Sequence, residues 1–443
     1  MNKLIIGLDG YDSNFSGCTT HFTLFFLHYL KNSLKQFRLI GDPLLVRLNP
    51  NIPFKTRGNA SVSVMLEGNL SYEDVLRAAD EASMIYSFEK KGTIAVAMLD
   101  YVSDEKKRRV LSDFYRKSVT DFVPHKLAEE IAEEVGVAVE GYKSLVGALA
   151  SIGYAFSGDD STFELLAYRD PRNMGERSVD REYVARELLA YESLFNNVGK
   201  KKNRLIAIPR GPDPVLIGIR GIDKRDLLKA FAKISPHMEK SSSWCVFRSN
   251  QHTDPHAVPR KIGELRVYRM GVIEGVVVGK PVIKKGGHAF LRIKDASGDI
   301  EVAFYKETNP MNVVASKLIS GDVLRVLGGA VDGKGDEAMI FEAEKLWVLR
   351  AFDLEVKLNP KCPKCGARME SAGKEKGFKC PKCGYRFRGK LEKETIFLKR
   401  ELPSGPISPL EGRLRHIVKP PELDGRPLPR VNFTVTEEPA CFF

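Results

Sequence analysis

Four cysteines carry the most specific chemistry in the chain. Cys362-Pro-Lys-Cys365 and Cys380-Pro-Lys-Cys383 are separated by fourteen residues, and each pair is followed by a glycine, Gly366 or Gly384. A glycine at that place admits the positive φ that turns backbone N–H groups toward the sulfurs, and four thiolates so spaced close a tetrahedral zinc site with no open position. Such a site is structural. A second group lies near the N-terminus, where Asp9 and Asp12 follow the apolar run Leu4 to Leu8 and Ser16-Gly17-Cys18-Thr19-Thr20 opens a helical pattern. Two carboxylates three apart can share a hard cation such as Mg2+, and a helix start offers its amides to phosphate. Together these are the ingredients of metal-assisted phosphoryl transfer, although a helix cap with two solvated aspartates has the same spacing. No GxxxxGK[ST] run is present, so a Walker loop is excluded.

Three further polar clusters interrupt apolar runs. Lys55, Thr56, Arg57 and Asn59 gather two cations and two hydrogen-bonding side chains in a loop broken by Pro50 and Pro53, which reads either as a phosphate clamp or as an exposed turn. Gly211 to Gly221 and Phe247 to Asp254 each end a strand pattern and each offer an acid, Asp213 or Asp254. An acid there can hold a cationic substrate or simply form a turn.

These groups need elements to position them. Leu4 to Leu8, Leu44 to Leu48 and Ser61 to Leu66 read as strands, while the helix beginning at Thr19 or Thr20, Tyr72 to Met84 and Ala128 to Gly153 read as helices. From Thr162 the strand patterns TFELLAY, RLIAI and VLIGI alternate with helices over Tyr183 to Phe195 and Asp223 to Ile234, which suits a small α+β, ferredoxin-like unit. From Tyr268 to Leu349 five short strands with Gly-rich turns and one helical insert, Met311 to Leu318, match an OB-fold β-barrel. The expected chain is a multidomain α+β protein: residues 1–160 an α/β catalytic unit, 161–258 the ferredoxin-like unit, 259–355 the OB-fold, 356–400 a zinc ribbon and 401–443 a Pro-rich, partly extended tail.

Charge and cysteine usage narrow the partners. The net charge is +12 over 443 residues, and nine of those units fall between Lys357 and Lys390, where Phe378, Tyr385 and Phe387 are interleaved with the basic residues. Cations for phosphates beside aromatic faces for bases suit single-stranded nucleic acid. Seven cysteines are too few for a disulfide scaffold; Cys18, Cys245 and Cys441 are left over, and the last two read as ordinary small apolar residues. The most apolar stretch, His21 to Leu30, is far short of the roughly 18 residues a membrane span needs, and the start is a poor signal peptide. A cytoplasmic protein with no membrane partner is expected.

The clusters together resemble one family, the archaeal tRNA-isoleucine 2-agmatinylcytidine synthetases. The resemblance is carried by Gly7-Leu-Asp9 through Cys18-Thr19-Thr20, by Arg47 to Ser63 (RLNPNIPFKTRGNASVS), and by Thr162 to Arg169, Gly211 to Gly221, Phe247 to Asp254, the barrel and the ribbon, in order over nearly the whole chain. It implies a kinase-like N-terminal domain, a ferredoxin-like domain that holds agmatine, and an OB-fold and zinc ribbon that grip an isoleucine tRNA with a CAU anticodon. The implied reaction joins agmatine to the wobble cytidine, with ATP converted to AMP and two phosphates. The ring carbonyl oxygen is a poor leaving group, so it is phosphorylated and then displaced by the amine.

The resemblance maps the family's phosphorylated threonine onto Thr19 and its aspartates onto Asp9 and Asp12, and side-chain chemistry supplies the other expected roles. Thr19 carries a transient phosphate; Asp9 and Asp12 bind Mg2+; Lys55, Arg57, Asn59 and Lys143 steady ATP or the tRNA backbone; Asp213 and Asp254 contact agmatine; Cys362, Cys365, Cys380 and Cys383 hold zinc. Gly10 and Tyr11 stand where the family has Asp and Thr, and Tyr142 to Ala148 replaces a more flexible Gly-Arg-Gly turn, which points to a divergent or slower enzyme. A competing reading is a non-catalytic single-strand-binding protein built on the barrel and ribbon, and a third is another ATP-dependent RNA modification. The first of these leaves the residues before the barrel without a purpose.

Overall fold

The structure, a computed structural model, describes all residues except 13–16, 35–36, 56–57, 87–91, 171–172, 174, 200–202, 210, 212, 334–337, 375, 390–391, 411 and 433–437. Its largest element is a ten-stranded sheet that crosses the expected boundary at residue 160 without a break. The strand order is Val215–Gly221, Thr162–Tyr168, Ser243–Ser249, Leu44–Arg47, Ala60–Gly68, Asn2–Asp9, Thr93–Met98 and Ala138–Glu140, with Phe37–Leu39 and Cys441–Phe442 attached to the side. The seam is a parallel pairing of Arg248 with Leu44 and Ser249 with Leu45. The two α+β regions are therefore one body.

Helices cover both faces, which explains why the strands read as apolar runs. Along Asn2–Asp9, Ile5 packs with the helices Glu105–Thr120 and Leu145–Ala155, while Leu4, Ile6 and Leu8 pack on the other side with Thr19–Leu34 and Tyr72–Tyr86. Under the second half of the sheet, Arg181–Leu189 and Lys224–Ile234 seal a separate core.

Several expected boundaries change. The single helix expected over Ala128 to Gly153 is two, His125–Val135 and Leu145–Ala155, because Gly136 takes a left-handed φ of 73° and the edge strand Ala138–Glu140 follows. RLIAI yields only the two-residue strand Arg204–Leu205, and the helix expected to reach Phe195 ends at Leu189. The strand Thr93–Met98 and helix Glu105–Thr120 were not anticipated.

The five expected barrel strands are present as Met270–Lys284, His288–Lys294, Asp299–Phe304, Val323–Asp332 and Met339–Arg350. They close in the order first, second, third, fifth, fourth, with the short helix Met311–Ala315 between the third and fourth, as in an OB barrel. Polar contacts fix the barrel to the body. Asp121 pairs with Arg260 and Arg269, and Asn49 Nδ2 donates to the Tyr268 carbonyl at 2.7 Å.

The tail is a clasp. Ile407 exchanges backbone hydrogen bonds with Leu346 of the barrel, Ser161 N donates to the Pro429 carbonyl, and the chain ends as a strand on Ser243–Ser249. There Cys245 and Cys441 face each other and form a disulfide across a separation of 196 residues. This corrects their reading as free apolar cysteines, since no sequence pattern shows that the terminus returns to the sheet. A crosslink closing so long a loop contributes about 2–4 kcal/mol, chiefly by constraining the unfolded chain.

The ribbon, with a three-stranded sheet of two-residue strands, stands on the pair Leu354–Leu358 and Glu394–Leu398. No helix among the described residues is long and apolar enough to cross a membrane.

Candidate active site

Asp9 ends the central strand and Thr19 begins the helix that follows, so the turn between them brings residues 9, 12 and 19 together. Thr19 is 2% exposed. Its Oγ1 donates to Asp12 Oδ2 at 3.0 Å and accepts from Tyr11 N at 3.3 Å. The hydroxyl is thus oriented with its proton on a carboxylate, the arrangement an activated nucleophile requires.

Asp9 lies against the first turn of Leu145–Ala155. A Cβ at Gly147 would stand 1.9 Å from Asp9 Oδ2, so only glycine leaves room for the carboxylate. Burial first, and then the charge of Asp12, hold the Asp9 carboxyl well above the usual carboxylate range. Two crowded acids of this kind fit a cation shared between them.

The two departures at residues 10 and 11 have local causes. Gly10 has a φ of 86°, and a Cβ there would stand 2.2 Å from Ser144 Oγ, so an aspartate is excluded by packing. Its amide donates to Asp9 Oδ1 at 2.7 Å. Tyr11 is a core residue, stacked on Phe22 with ring centroids 3.5 Å apart.

Thr19 and Asp12 open into a groove of about 400 Å3 whose walls include Arg47, Asn59, Glu164, Asp213, Arg220 and His416. Three of these side chains form a buried ion cluster that sequence reasoning missed. Glu164 lies 3.4 Å from Arg47 Nη2 and 3.2 Å from Arg220 Nε, with Glu164 and Arg220 directly opposite on paired strands. A charged residue inside TFELLAY was the available signal, because an ionised group in a doubly covered strand requires partners. His416 is held well below the usual histidine range, first by the Arg47 charge and then by burial, so it lines the groove as a neutral ring.

A second cavity, of about 830 Å3, adjoins through Asp213, which lines both. It is bounded by His21, Phe25, Tyr86, Arg169 and Arg177 among others. Burial lowers His21 to about 4, and its Nδ1 lies 2.9 Å from Tyr86 Oη. Asp213 Oδ1 accepts from Val215 N at 3.1 Å and lies 3.6 Å from Arg177 Nη2.

Other expected residues lie elsewhere. Asp254 lines neither cavity; its carboxylate accepts from Lys345 Nζ at 2.7 Å and Lys419 N at 2.6 Å, at the joint with the barrel. Lys55 also sits at that joint, donating to the Pro50 carbonyl, and burial with the nearby Arg415 charge lowers its pKa. Lys143 is exposed on the turn before Leu145–Ala155 and lines neither cavity. Asn59 lines the groove and donates to the Asn49 carbonyl at 2.7 Å, whereas Ser16, Thr56 and Arg57 lie outside the described residues.

The four ribbon cysteines have sulfurs within 4.8 Å of one another. The two knuckles repeat one geometry: Gly366 N donates to the Cys362 carbonyl and Gly384 N to the Cys380 carbonyl, with φ of 72° and 70° at the glycines. Four sulfurs so gathered fit one zinc ion. Among the described residues no other His, Cys, Asp and Glu cluster of three or more has this compactness.

A threonine hydroxyl held by a carboxylate in a groove of mixed charge, on one chain with a closed barrel and a four-cysteine ribbon, suits a multidomain protein that combines group transfer with nucleic-acid binding. Comparison with known proteins gives the family. Residues 5–144 match the model of the TiaS TCKD domain, 143–256 the TiaS FLD domain and 359–402 the TiaS C-terminal zinc ribbon domain. The isoleucine-2 tRNA 2-agmatinylcytidine synthetases TiaS of Ignisphaera aggregans and Thermofilum pendens are 34% and 35% identical, over 95% and 96% of this chain and 93% and 96% of their own. The crystal structure of TiaS in complex with isoleucine-2 tRNA and ATP superposes with a TM-score of 0.82 at 29% identity, covering 97% of this chain and 98% of that one. The complex of TiaS with the same tRNA, AMPCPP and agmatine superposes at 0.80 and 26%, covering 96% and 98%. The chain belongs to the TiaS family.

Proposed function

We propose that this chain ligates agmatine to the wobble cytidine of an isoleucine tRNA bearing a CAU anticodon, consuming ATP and releasing AMP and two phosphates. The observation that carries the chemistry is the hydrogen bond from Thr19 to Asp12 inside the groove. Asp12 takes the hydroxyl proton as Thr19 attacks the terminal phosphorus of ATP, and ADP leaves; water then frees the threonine and releases its phosphoryl group as the first phosphate. The terminal phosphoryl group of that ADP passes to the cytosine carbonyl oxygen and AMP leaves; the oxygen then departs as the second phosphate when the agmatine amine attacks the ring carbon and gives up its proton.

Asp9 and Asp12 are the residues placed to hold Mg2+, which when bound offsets the charge of the polyphosphate. The Arg47–Glu164–Arg220 cluster carries one surplus positive charge in the wall of the groove, suited to an anion. Asp213, between the two cavities, is the carboxylate best placed for the cationic substrate. Its contact with Arg177 would yield to a guanidinium or ammonium of the ligand. Asp254 and Lys143 line neither cavity.

In this reading the region to residue 160 is kinase-like and residues 161–258 are ferredoxin-like. The OB-fold and zinc ribbon grip the tRNA, and the reaction runs in the cytoplasm with its substrate. The test is to incubate the protein with ATP, Mg2+, agmatine and the tRNA transcript and weigh the released nucleosides. A cytidine gaining the mass of agmatine less water supports the reading; an unmodified cytidine on demonstrably bound tRNA refutes it.

A further inference from the structure

The outer wall of the barrel carries a feature that the reaction chemistry does not use. The strand Met270–Lys284 outruns the barrel, and after an irregularity between Val278 and Val282 its end pairs with His288–Lys294 as a short arm. Val282 lies opposite Phe290 and Lys284 opposite His288, and facing residues of an antiparallel pair share a side. That side is the outer one, because the alternate residues Ala289 and Leu291 enter the barrel core. The third strand adds Ala303 opposite Phe290 and, one residue beyond its end, Tyr305.

Phe290 is itself buried with Ala303 and Ile340, and Tyr305 packs against this small core as its outer ring. Tyr305 stands edge to face with Phe290 at 6.3 Å and with His288 at 5.7 Å, and Lys284 Nζ lies 4.1 Å from the Phe290 centroid. Tyr305 and His288 are half-buried, while Val282 and Lys284 are exposed. Aromatic faces beside cations bind bases by stacking and phosphates by charge.

This surface connects to the groove. Tyr305 Oη donates to Glu342 Oε1 at 3.0 Å, and Arg415 binds both Glu342 and Glu344 at 2.8 Å. The chain neighbours of Arg415, Leu414 and His416, line the Thr19 groove. Glu342 and Arg415 therefore link the aromatic wall to the segment that lines the groove. A target base turned into the groove leaves its neighbours unstacked, and they need a surface of this kind.

We propose that Tyr305, supported by His288 and Phe290, is a stacking platform for the adenine that follows the target cytidine, with Lys284 against the backbone of that nucleotide. This rests on the tRNA substrate proposed above. The ring provides the platform; its hydroxyl only anchors it.

The experiment uses an anticodon-arm RNA carrying 2-aminopurine in place of that adenine, together with the full tRNA transcript. Wild type is expected to quench the fluorescence on binding, and so is Tyr305→Phe. Tyr305→Ala is expected to lose the quenching and raise KM for tRNA about tenfold, with ATP-dependent labelling of Thr19 intact as the sign of a folded groove. Wild-type quenching and KM in Tyr305→Ala overturns the platform and leaves the ligase reading standing. Loss of quenching in Tyr305→Phe also overturns it, since the hydroxyl would then matter more than the ring. A wild-type protein that neither binds nor modifies the tRNA removes both.

Discussion

The groove and the ribbon divide the work by opposite physical means. In the groove the central charges are buried and paired: Glu164 is 2% exposed between two arginines, and Thr19, 2% exposed, donates to the half-buried Asp12. In the ribbon nearly every charge is exposed, and the packed core is little more than Cys362, Met369, Phe378 and Cys380. The groove gains precision from burial. The ribbon gains reach from surface charge and depends on its metal for a fold.

The contrast predicts where damage spreads. Glu164→Gln should be the most destructive change to the fold, because it leaves two arginines facing each other without a counter-charge. A loss of about 3–5 kcal/mol in thermal or denaturant unfolding is expected. A loss under about 1 kcal/mol, the range of solvated pairs, would mean the contrast is false.

Stripping zinc with a chelator should do the reverse, melting the ribbon while the body persists. Affinity for tRNA should fall about a hundredfold, with ATP-dependent phosphorylation of Thr19 unchanged. Phosphorylation lost together with affinity would show that the two regions are not separable.

Smaller effects sharpen the difference. The folded-state pKa of Asp9 is raised, so the cost of its charge fades as pH falls through the unfolded value of about 4 and vanishes below it, where the group is protonated in both states. The cost grows as pH rises and is complete above the raised value. Metal-free Asp9→Asn should therefore melt higher than wild type at about pH 8 and equally at about pH 3.5, yet lose its stabilisation by Mg2+. Equal melting at both values would contradict a buried charge. In the ribbon, single substitutions of exposed Lys379, Lys382 or Arg386 by alanine should each reduce the salt dependence of tRNA binding by at most about 0.9 in log–log slope. Their unfolding should not change.

The same division governed what could be read from the sequence. The ribbon was legible because two identical Cys-Pro-Lys-Cys-Gly knuckles fix both ligands and turns locally. Barrel strands were legible from period-two alternation, apart from the overlong first strand and its arm. Asp9, Asp12 and Thr19 were legible as a group because one strand-turn-helix joins them.

What failed was long-range. Glu164, Arg220 and His416 reach the groove from separate segments, and nothing local shows that Gly412, Leu414 and His416 in the Pro-rich tail form one of its walls. Asp254 and Lys55 lie outside both cavities, at a joint whose partners Lys345 and Arg415 come from distant segments. The Cys245–Cys441 bond was hidden for the same reason.

Everything proposed for the groove turns on Thr19 as the residue that carries the phosphoryl group while agmatine is joined to tRNA. The direct measurement is peptide mass spectrometry of the protein after incubation with ATP and Mg2+, paired with nucleoside analysis of tRNA treated in parallel. Wild type is expected to give a phosphorylated Thr19 peptide, and Thr19→Ala neither that peptide nor more than about a thousandth of the agmatine-modified cytidine. Full cytidine modification by Thr19→Ala would contradict this role.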